Sequence, residues 1–129
     1  MHFGYAIVYV PDVRAATDFY AAAFGFKLRF HADDWDYAEL ETGDTTLAFA
    51  AERMADVTGI AFTPNRPDAT AAGIELAFVT EQVAEGFARA IETGATPVSE
   101  PHQMPWGQTV SYVRDLNGVL VEICSPVSG

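Results

Sequence analysis

The first part of the chain follows a fixed order of strand and helix signals. Residues 6–10 form a β-branched and aromatic run that predicts a strand, and Pro11 and Asp12 end it with a turn that begins a helix. From Val13 to Ala23 apolar residues recur at helical spacing, until Gly25 stops the helix. Three strands are then predicted over residues 27–32, 35–41 and 45–50, with turns at 33–34 and 42–44. The predicted order is βαβββ.

The second part of the chain repeats that order. A strand is predicted over residues 74–79, and apolar residues from Val83 to Ile91 line one face of a helix that Gly94 caps. Further strands are predicted over residues 96–99, 109–114 and 119–124, with a loop at 100–107 and a turn at 115–118. Residues 51–73 show no sustained periodicity, so we interpret them as the connection between the two parts.

The two parts also match residue by residue. The segment from Tyr5 to Val13 matches the segment from Glu75 to Val83 at an offset of 70 (75 − 5), and Tyr37 matches Tyr112 at an offset of 75 (112 − 37). An internal repeat of this kind decides the architecture. We predict a single α+β domain made of two βαβββ repeats, about 1–50 and 74–126, joined by residues 51–73. The repeats would form a curved eight-stranded mixed sheet with helices on one face and a cavity on the other.

Composition limits the kinds of partner. With 129 residues, half of them hydrophobic, the chain suits one soluble domain, and its apolar runs are far shorter than a membrane-spanning helix needs. Cys124 is the only cysteine, which excludes an internal disulfide. The formal charge of −11 argues against nucleic-acid binding, which requires a basic surface. It would favour a cationic ligand, but the simpler interpretation is that acidity keeps the protein soluble. We therefore expect a cytoplasmic protein that binds neither nucleic acid nor membranes.

The motifs resemble those of the vicinal oxygen chelate superfamily, which includes glyoxalase I, extradiol dioxygenases, fosfomycin-modifying enzymes and bleomycin resistance proteins. The resemblance covers essentially the whole chain, and the motifs that show it are Tyr9-Val-Pro-Asp-Val13, Phe24-Gly-Phe26, Pro105-Trp-Gly-Gln108, Asp115-Leu-Asn-Gly118 and Val121-Glu-Ile123. The hairpin departs from the family pattern because Leu116 replaces a proline. In character the chain is most similar to the metal-free, drug-binding members of the bleomycin resistance type.

The resemblance also implies where a metal would bind. Members that depend on a metal use four side chains, two from each repeat, and those positions correspond here to Tyr5, Ala48, Glu75 and Glu122. Alanine has no donor atom, and neutral tyrosine is a poor ligand for divalent ions. We therefore expect no metal and no other cofactor, although Glu75 and Glu122 alone remain weak candidates for holding a divalent ion.

Side-chain alternation along the strands predicts which residues line the cavity. Aromatic side chains at its mouth would stack on flat ligands, and carboxylates would attract cationic ones. The predicted ligand-binding residues are Tyr5, Tyr9, Trp35, Tyr37, Glu39, Ala48, Glu75, His102, Trp106, Tyr112, Arg114 and Glu122. Simpler roles are open for several of them. The two tryptophans are also typical core residues, and a single histidine such as His102 is also typical of a surface. Arg114 is also suited to a buried ion pair with Glu75 and Glu122.

Two functional hypotheses remain. The first is a homodimeric binding protein that sequesters an aromatic, cationic small molecule such as an antibiotic, without metal or catalysis. The alternative is a glyoxalase-like lyase, isomerase or dioxygenase, which would use a metal or acid–base chemistry at Glu75 and Glu122, the only candidate catalytic residues. The absence of metal-ligating residues in the first repeat favours the binding protein.

Overall fold

A computed structural model describes residues 1–127, and this part of the chain contains eight strands and three helices. The elements are β1 (Tyr5–Val10), α1 (Val13–Phe24), β2 (Lys27–His31), β3 (Tyr37–Glu41), β4 (Thr46–Ala51), α2 (Met54–Thr58), β5 (Glu75–Val79), α3 (Val83–Thr93), β6 (Thr96–Gln103), β7 (Thr109–Arg114) and β8 (Leu120–Cys124). Both repeats have the predicted βαβββ order, with α2 as an addition between them. The α+β class is confirmed.

The eight strands form two hydrogen-bonded sheets of four, with the orders β1-β4-β3-β2 and β5-β8-β7-β6. In each sheet the first strand runs parallel to its neighbour and the remaining pairs are antiparallel, so both sheets are mixed. The chain divides into two compact units, Met1–Pro64 and Asn65–Gly129, and each unit contains one sheet. We call them unit 1 and unit 2.

In unit 1, helix α1 packs against one face of the sheet, and the candidate site residues of this unit lie on the opposite face. The helix begins where the Asp12 side chain accepts a hydrogen bond from the backbone N–H of Ala15 at 3.0 Å, and it ends at Gly25, whose φ is 79°. Tyr20 on α1 and Phe49 on β4 are both completely buried, with ring centroids 4.9 Å apart. Strand β4 is buried along its whole length, whereas β3 alternates between partly exposed and buried residues from Tyr37 to Leu40.

In unit 2, helix α3 packs against β6, β7 and β8. The inward residues Val113, Val121 and Ile123 are buried, as alternation predicts, whereas Glu122 lies on the opposite face. The predicted turn at 115–118 joins β7 to β8, and the buried carboxylate of Asp115 accepts hydrogen bonds from the backbone N–H groups of Asn117 and Val119 at 2.8 and 2.9 Å. Leu116 therefore replaces the proline without abolishing the turn.

Three local predictions differ from the structure. Strand β6 continues to Gln103, so the predicted loop at 100–107 is too long and His102 lies on a strand. The connecting segment contains the short helix α2, which the sequence did not predict. Strand β3 begins at Tyr37, and Trp35 lies in the preceding turn with a positive φ of 60°. Within residues 1–127, no helix is long and apolar enough to span a membrane.

Candidate functional site

The face of the unit 1 sheet that is turned away from α1 is lined by aromatic and small residues. Register places Tyr5, Ile7 and Tyr9 of β1 beside Thr46, Ala48 and Ala50 of β4. Tyr5 and Ile7 remain 57% and 47% exposed, while the ring of Tyr9 stacks on Phe62 with centroids 4.4 Å apart. The predicted residues Tyr5, Tyr9 and Ala48 therefore lie on one face, although Phe62 covers part of it.

A polar network crosses the same face, and its central residue was not among those predicted. Arg29 donates to the Thr46 hydroxyl at 2.8 Å and to the Leu40 carbonyl at 3.1 Å. Its guanidinium also lies 3.0 Å from a carboxylate oxygen of Glu41 and 4.0 Å from one of Glu39. A cation therefore already balances the carboxylates of this face. The only signal in the sequence was the alternation of charge between neighbouring strands, which does not identify partners.

Tyr37 and Glu39 form a direct pair within this network. The Tyr37 hydroxyl donates to a carboxylate oxygen of Glu39 at 2.8 Å. Burial, together with the hydrogen bond to Glu39, raises the pKa of Tyr37 well above its usual value. Tyr37 therefore stays a neutral hydrogen-bond donor at physiological pH, and Glu39 is held in a fixed orientation.

Trp35 lies apart from these residues. Its ring stacks almost parallel to that of His31, with centroids 3.9 Å apart, and the guanidinium carbon of Arg14 lies 5.2 Å from the ring centroid. His31 pairs with Ala38, a completely buried residue on the α1 side of the sheet. The structure thus places Trp35 in a surface cleft of about 510 Å³ at the start of α1, away from Tyr5 and Ala48.

In unit 2, the sheet face turned away from α3 holds a pair of carboxyl groups. Glu75 of β5 is hydrogen-bonded to Glu122 of β8, and this bond, followed by burial and the charge of Glu122, raises the pKa of Glu75. The Tyr112 hydroxyl lies 3.3 Å from a carboxylate oxygen of Glu122 and donates to it. Burial, followed by the two nearby carboxylates, raises the pKa of Tyr112 as well. Two carboxyl groups this close together favour a proton or a cation between them.

Cys124 lies beside this pair. Burial, together with the neighbouring Glu122, raises the pKa of the Cys124 thiol to about 11. The thiol is therefore protonated at physiological pH and is a poor nucleophile. This agrees with the role of a small buried side chain.

Arg114 does not pair with the two carboxyls. Its guanidinium donates to three backbone carbonyl oxygens, those of Gly118 at 2.9 Å, Arg66 at 3.2 Å and Pro67 at 3.4 Å. The ion pair that the sequence left open for Arg114 is thus replaced by contacts to the polypeptide backbone. Within residues 1–127, no ion pair between Arg114 and either Glu75 or Glu122 is present.

His102 and Trp106 lie near the other end of the sheet. His102 pairs with Val110 across β6 and β7, and its Nδ1 contacts the Glu100 carbonyl oxygen at 2.8 Å. Trp106 occupies the turn after β6, is 58% exposed, and donates from Nε1 to the side-chain oxygen of Gln108 at 2.9 Å. Its ring is therefore presented to solvent on a defined turn.

The residues at the four family metal positions do not suit a metal. Tyr5 and Ala48 lie in unit 1, and Glu75 and Glu122 lie in unit 2. Within residues 1–127, no group of three or more His, Cys, Asp or Glu side chains is arranged to hold an ion. Zinc sites in proteins use about three or four protein ligands, so the two carboxyls do not suffice for a zinc site.

The raised pKa of Glu75 predicts a pH-dependent stability. The folded state keeps a proton on Glu75 that the unfolded chain has already lost, so the free energy of unfolding falls as pH rises from the usual carboxyl pKa to the raised one. Glu75→Gln is expected to lack this decrease. Urea midpoints of the parent and the variant between about pH 4 and about pH 8 measure it.

The matched control for this prediction is Glu100→Gln, which changes an exposed carboxylate on β6. It is expected to follow the parent across the whole pH range. A Glu75→Gln variant with the same pH profile as the parent would show that the two carboxyls do not share a proton.

Comparison with known proteins gives a family match and several structural neighbours. A family model described as the glyoxalase/bleomycin resistance protein/dioxygenase superfamily matches residues 2–123. A glyoxalase-related enzyme from Fulvimarina pelagi aligns with a TM-score of 0.83 and 21% identity, over 98% of this chain and 88% of that one. A glyoxalase/bleomycin resistance protein/dioxygenase family enzyme from Burkholderia phytofirmans PsJN aligns with a TM-score of 0.81 and 19% identity, over 99% and 100% of the two chains.

TioX from Micromonospora sp. ML1 aligns with a TM-score of 0.71 and 25% identity, over 97% of this chain and 98% of that one. The first two structures are below 25% identity and therefore show a shared fold alone. A comparison with curated proteins by sequence gave no significant match.

Proposed function

Because the chain belongs to the glyoxalase/bleomycin resistance protein/dioxygenase superfamily, we propose that it is a small-molecule-binding protein that sequesters an aromatic, cationic compound such as an antibiotic. The observation that supports this most directly is the Glu75–Glu122 pair, which lies on a sheet face while the nearby Arg114 is engaged by backbone carbonyls. A scaffold shared by many chemistries does not specify a ligand, so the proposal rests on these side chains.

The carboxyl pair suits an ammonium or amidinium group. Such a group donates to both carboxyls and supplies the positive charge that a shared proton supplies in the free protein. The Tyr112 hydroxyl, which already donates to Glu122, keeps one oxygen oriented. The formal charge of −11 adds a long-range field that attracts cations and repels anions.

An exposed aromatic side chain suits the flat part of the same ligand class. Trp106 lies in the same unit as the carboxyl pair, on the turn after β6, and its ring is 58% exposed. Exposed aromatic rings stack on planar molecules with little loss of side-chain entropy. We therefore propose that ring stacking and charge act together in binding.

The test is a fluorescence titration with a flat cationic dye, its neutral isostere and a simple aliphatic amine. We expect the cationic dye to bind at least about tenfold more tightly than the neutral one, because a charge-assisted contact is worth roughly 1.5–3 kcal/mol. The aliphatic amine should bind weakly, since it cannot stack. Equal binding of both dyes, or turnover of a hemithioacetal by the protein, would contradict the proposal.

We propose that binding requires no metal. The purified protein is expected to contain no stoichiometric Ni²⁺, Zn²⁺ or Mn²⁺ and to gain no thermal stability when these ions are added, because an ion that binds only the folded state raises the melting temperature. Elemental analysis and thermal melts measure both. A stoichiometric ion that disappears in Glu122→Ala would overturn this proposal.

We also propose that the protein acts as a homodimer. Leu28 and Phe30 on the edge strand β2 are 43% and 51% exposed, and large apolar side chains exposed on an edge strand favour association. Light scattering is expected to give twice the 14.0 kDa mass of one chain. Phe30→Glu should shift that mass towards the single chain, and a parent of single-chain mass at micromolar concentration would refute the dimer.

A further inference from the structure

Residues 65–68, which we call the strap, are fastened to the β7–β8 hairpin of unit 2. The carbonyl oxygen of Arg66 accepts from Arg114 Nη2 at 3.2 Å and also from the backbone N–H of Ala69 at 3.2 Å, which closes a turn. The carbonyl of Pro67 accepts from Nη1 at 3.4 Å, and that of Gly118 accepts from Nε at 2.9 Å. All three nitrogens of the Arg114 guanidinium are therefore engaged by backbone.

Gly118 makes this contact possible. Its φ is 89°, and a Cβ at this position would lie 2.4 Å from the Arg66 carbonyl oxygen and 2.7 Å from Arg114 Nη2. Neither distance is tolerated by a real side chain, and the Arg66 carbonyl belongs to the backbone. Any larger residue at 118 must therefore displace the strap from its position.

The register of the sheet places Arg114 next to the carboxyl pair. Tyr112 lies opposite Glu122, and Arg114 lies opposite Leu120, which in turn pairs with Glu75. Diagonal neighbours on one sheet face are within reach of long side chains. Without the strap, the Gly118 carbonyl at 2.9 Å is the one of these three partners that Arg114 keeps. A change of side-chain torsions then suffices to turn the guanidinium towards Glu122.

We propose that the strap is a specificity device: its carbonyl oxygens hold Arg114 away from Glu75 and Glu122 and so leave the pair open to the cationic group of a ligand. Arg114 is then a positioning residue whose own charge would otherwise occupy the site. This inference rests on the proposed function, because it assumes that a cationic group binds at the pair.

The binding test uses Gly118→Ala, which displaces the strap. We expect its affinity for the flat cationic dye to fall by about tenfold, since the freed guanidinium competes for the same carboxyls, while the neutral isostere binds as in the parent. Adding Arg114→Gln in the same chain should restore the cationic dye's affinity. A double variant that binds this dye as weakly as Gly118→Ala would overturn the proposal. If Gly118→Ala does not fold, Pro67→Gly replaces it as the strap-loosening change.

A second test needs no ligand and separates this inference from the proposed function. A double-mutant cycle between Arg114→Gln and Glu122→Gln reports on their interaction through the free energy of unfolding. We expect no coupling in the parent and a favourable coupling in the Gly118→Ala background. Coupling already present in the parent would refute the strap, whatever the dyes show. If neither dye binds the parent but the coupling between Arg114 and Glu122 is as expected, the proposed function is refuted and the strap is not.

Discussion

Trp106→Ala is expected to weaken the binding of a flat ligand by about ten- to a hundredfold, because a stacked aromatic ring is worth roughly 1–3 kcal/mol in recognition. The neutral isostere should lose affinity through the lost stacking, and the cationic dye should lose at least as much, since the face of an indole ring also attracts cations. The fold should survive, because Trp106 is 58% exposed and its one side-chain hydrogen bond goes to Gln108 in the same turn. Fluorescence titration monitored through the dye measures the effect.

Two further variants separate the contribution of charge from that of ring stacking. Glu122→Gln keeps the shape of the side chain and removes one charge, so it should weaken the cationic dye and leave the neutral one nearly unchanged. Trp35→Ala is the matched control for tryptophan loss, since the Trp35 ring is already stacked on His31 and faces Arg14. If Trp106→Ala unfolds the protein, or binds both dyes as tightly as the parent, Trp106 is a packing residue and the aromatic part of the proposal fails.

Phe49→Ala is expected to lower the free energy of unfolding by about 3–5 kcal/mol, the usual cost of removing a large buried aromatic side chain from a core. Phe49 is completely buried on β4, and its ring lies 4.9 Å from that of Tyr20 on α1, so nothing nearby can refill the space without moving the helix. Denaturant unfolding measures the change, with Phe3→Ala as the matched control because Phe3 is 70% exposed. A loss below about 1 kcal/mol would mean that α1 does not depend on this contact.

The order of elements and the buried faces were predictable from local sequence. Strands β1 and β4 have β-branched or apolar runs, and α1 begins at a capping aspartate, Asp12, and ends at a glycine, Gly25. Alternation then fixed Glu122 on the face opposite Val121 and Ile123. These features depend on a few neighbouring residues, which is why the sequence was sufficient.

Strand β6 and helix α2 were harder to predict for a local reason. Pro97 and Pro101 interrupt the β6 sequence, and proline normally indicates a loop, but β6 is an edge strand with two register shifts, where proline is tolerated. Helix α2 has five residues and no side-chain cap, so its sequence shows neither a helical period nor a start signal. In both cases the conformation depends on contacts with the surrounding chain, because the residues of the segment itself do not specify a strand or a helix.

In the candidate site too, some features could be predicted from the sequence and others depended on the tertiary structure. Sequence alone predicted the strand positions of Glu75, Glu122 and Tyr112 and the turn position of Trp106, because strand alternation and turn motifs fix where their side chains begin. It did not identify Arg29 as the partner of Glu39 and Glu41, the stacking of Trp35 on His31, or the binding of Arg114 by the strap. The charged ends of arginine side chains lie several bonds from the backbone, and their partners are distant in sequence. Only the tertiary structure brings those partners together, and it alone decides which carboxylates already have a cation in contact.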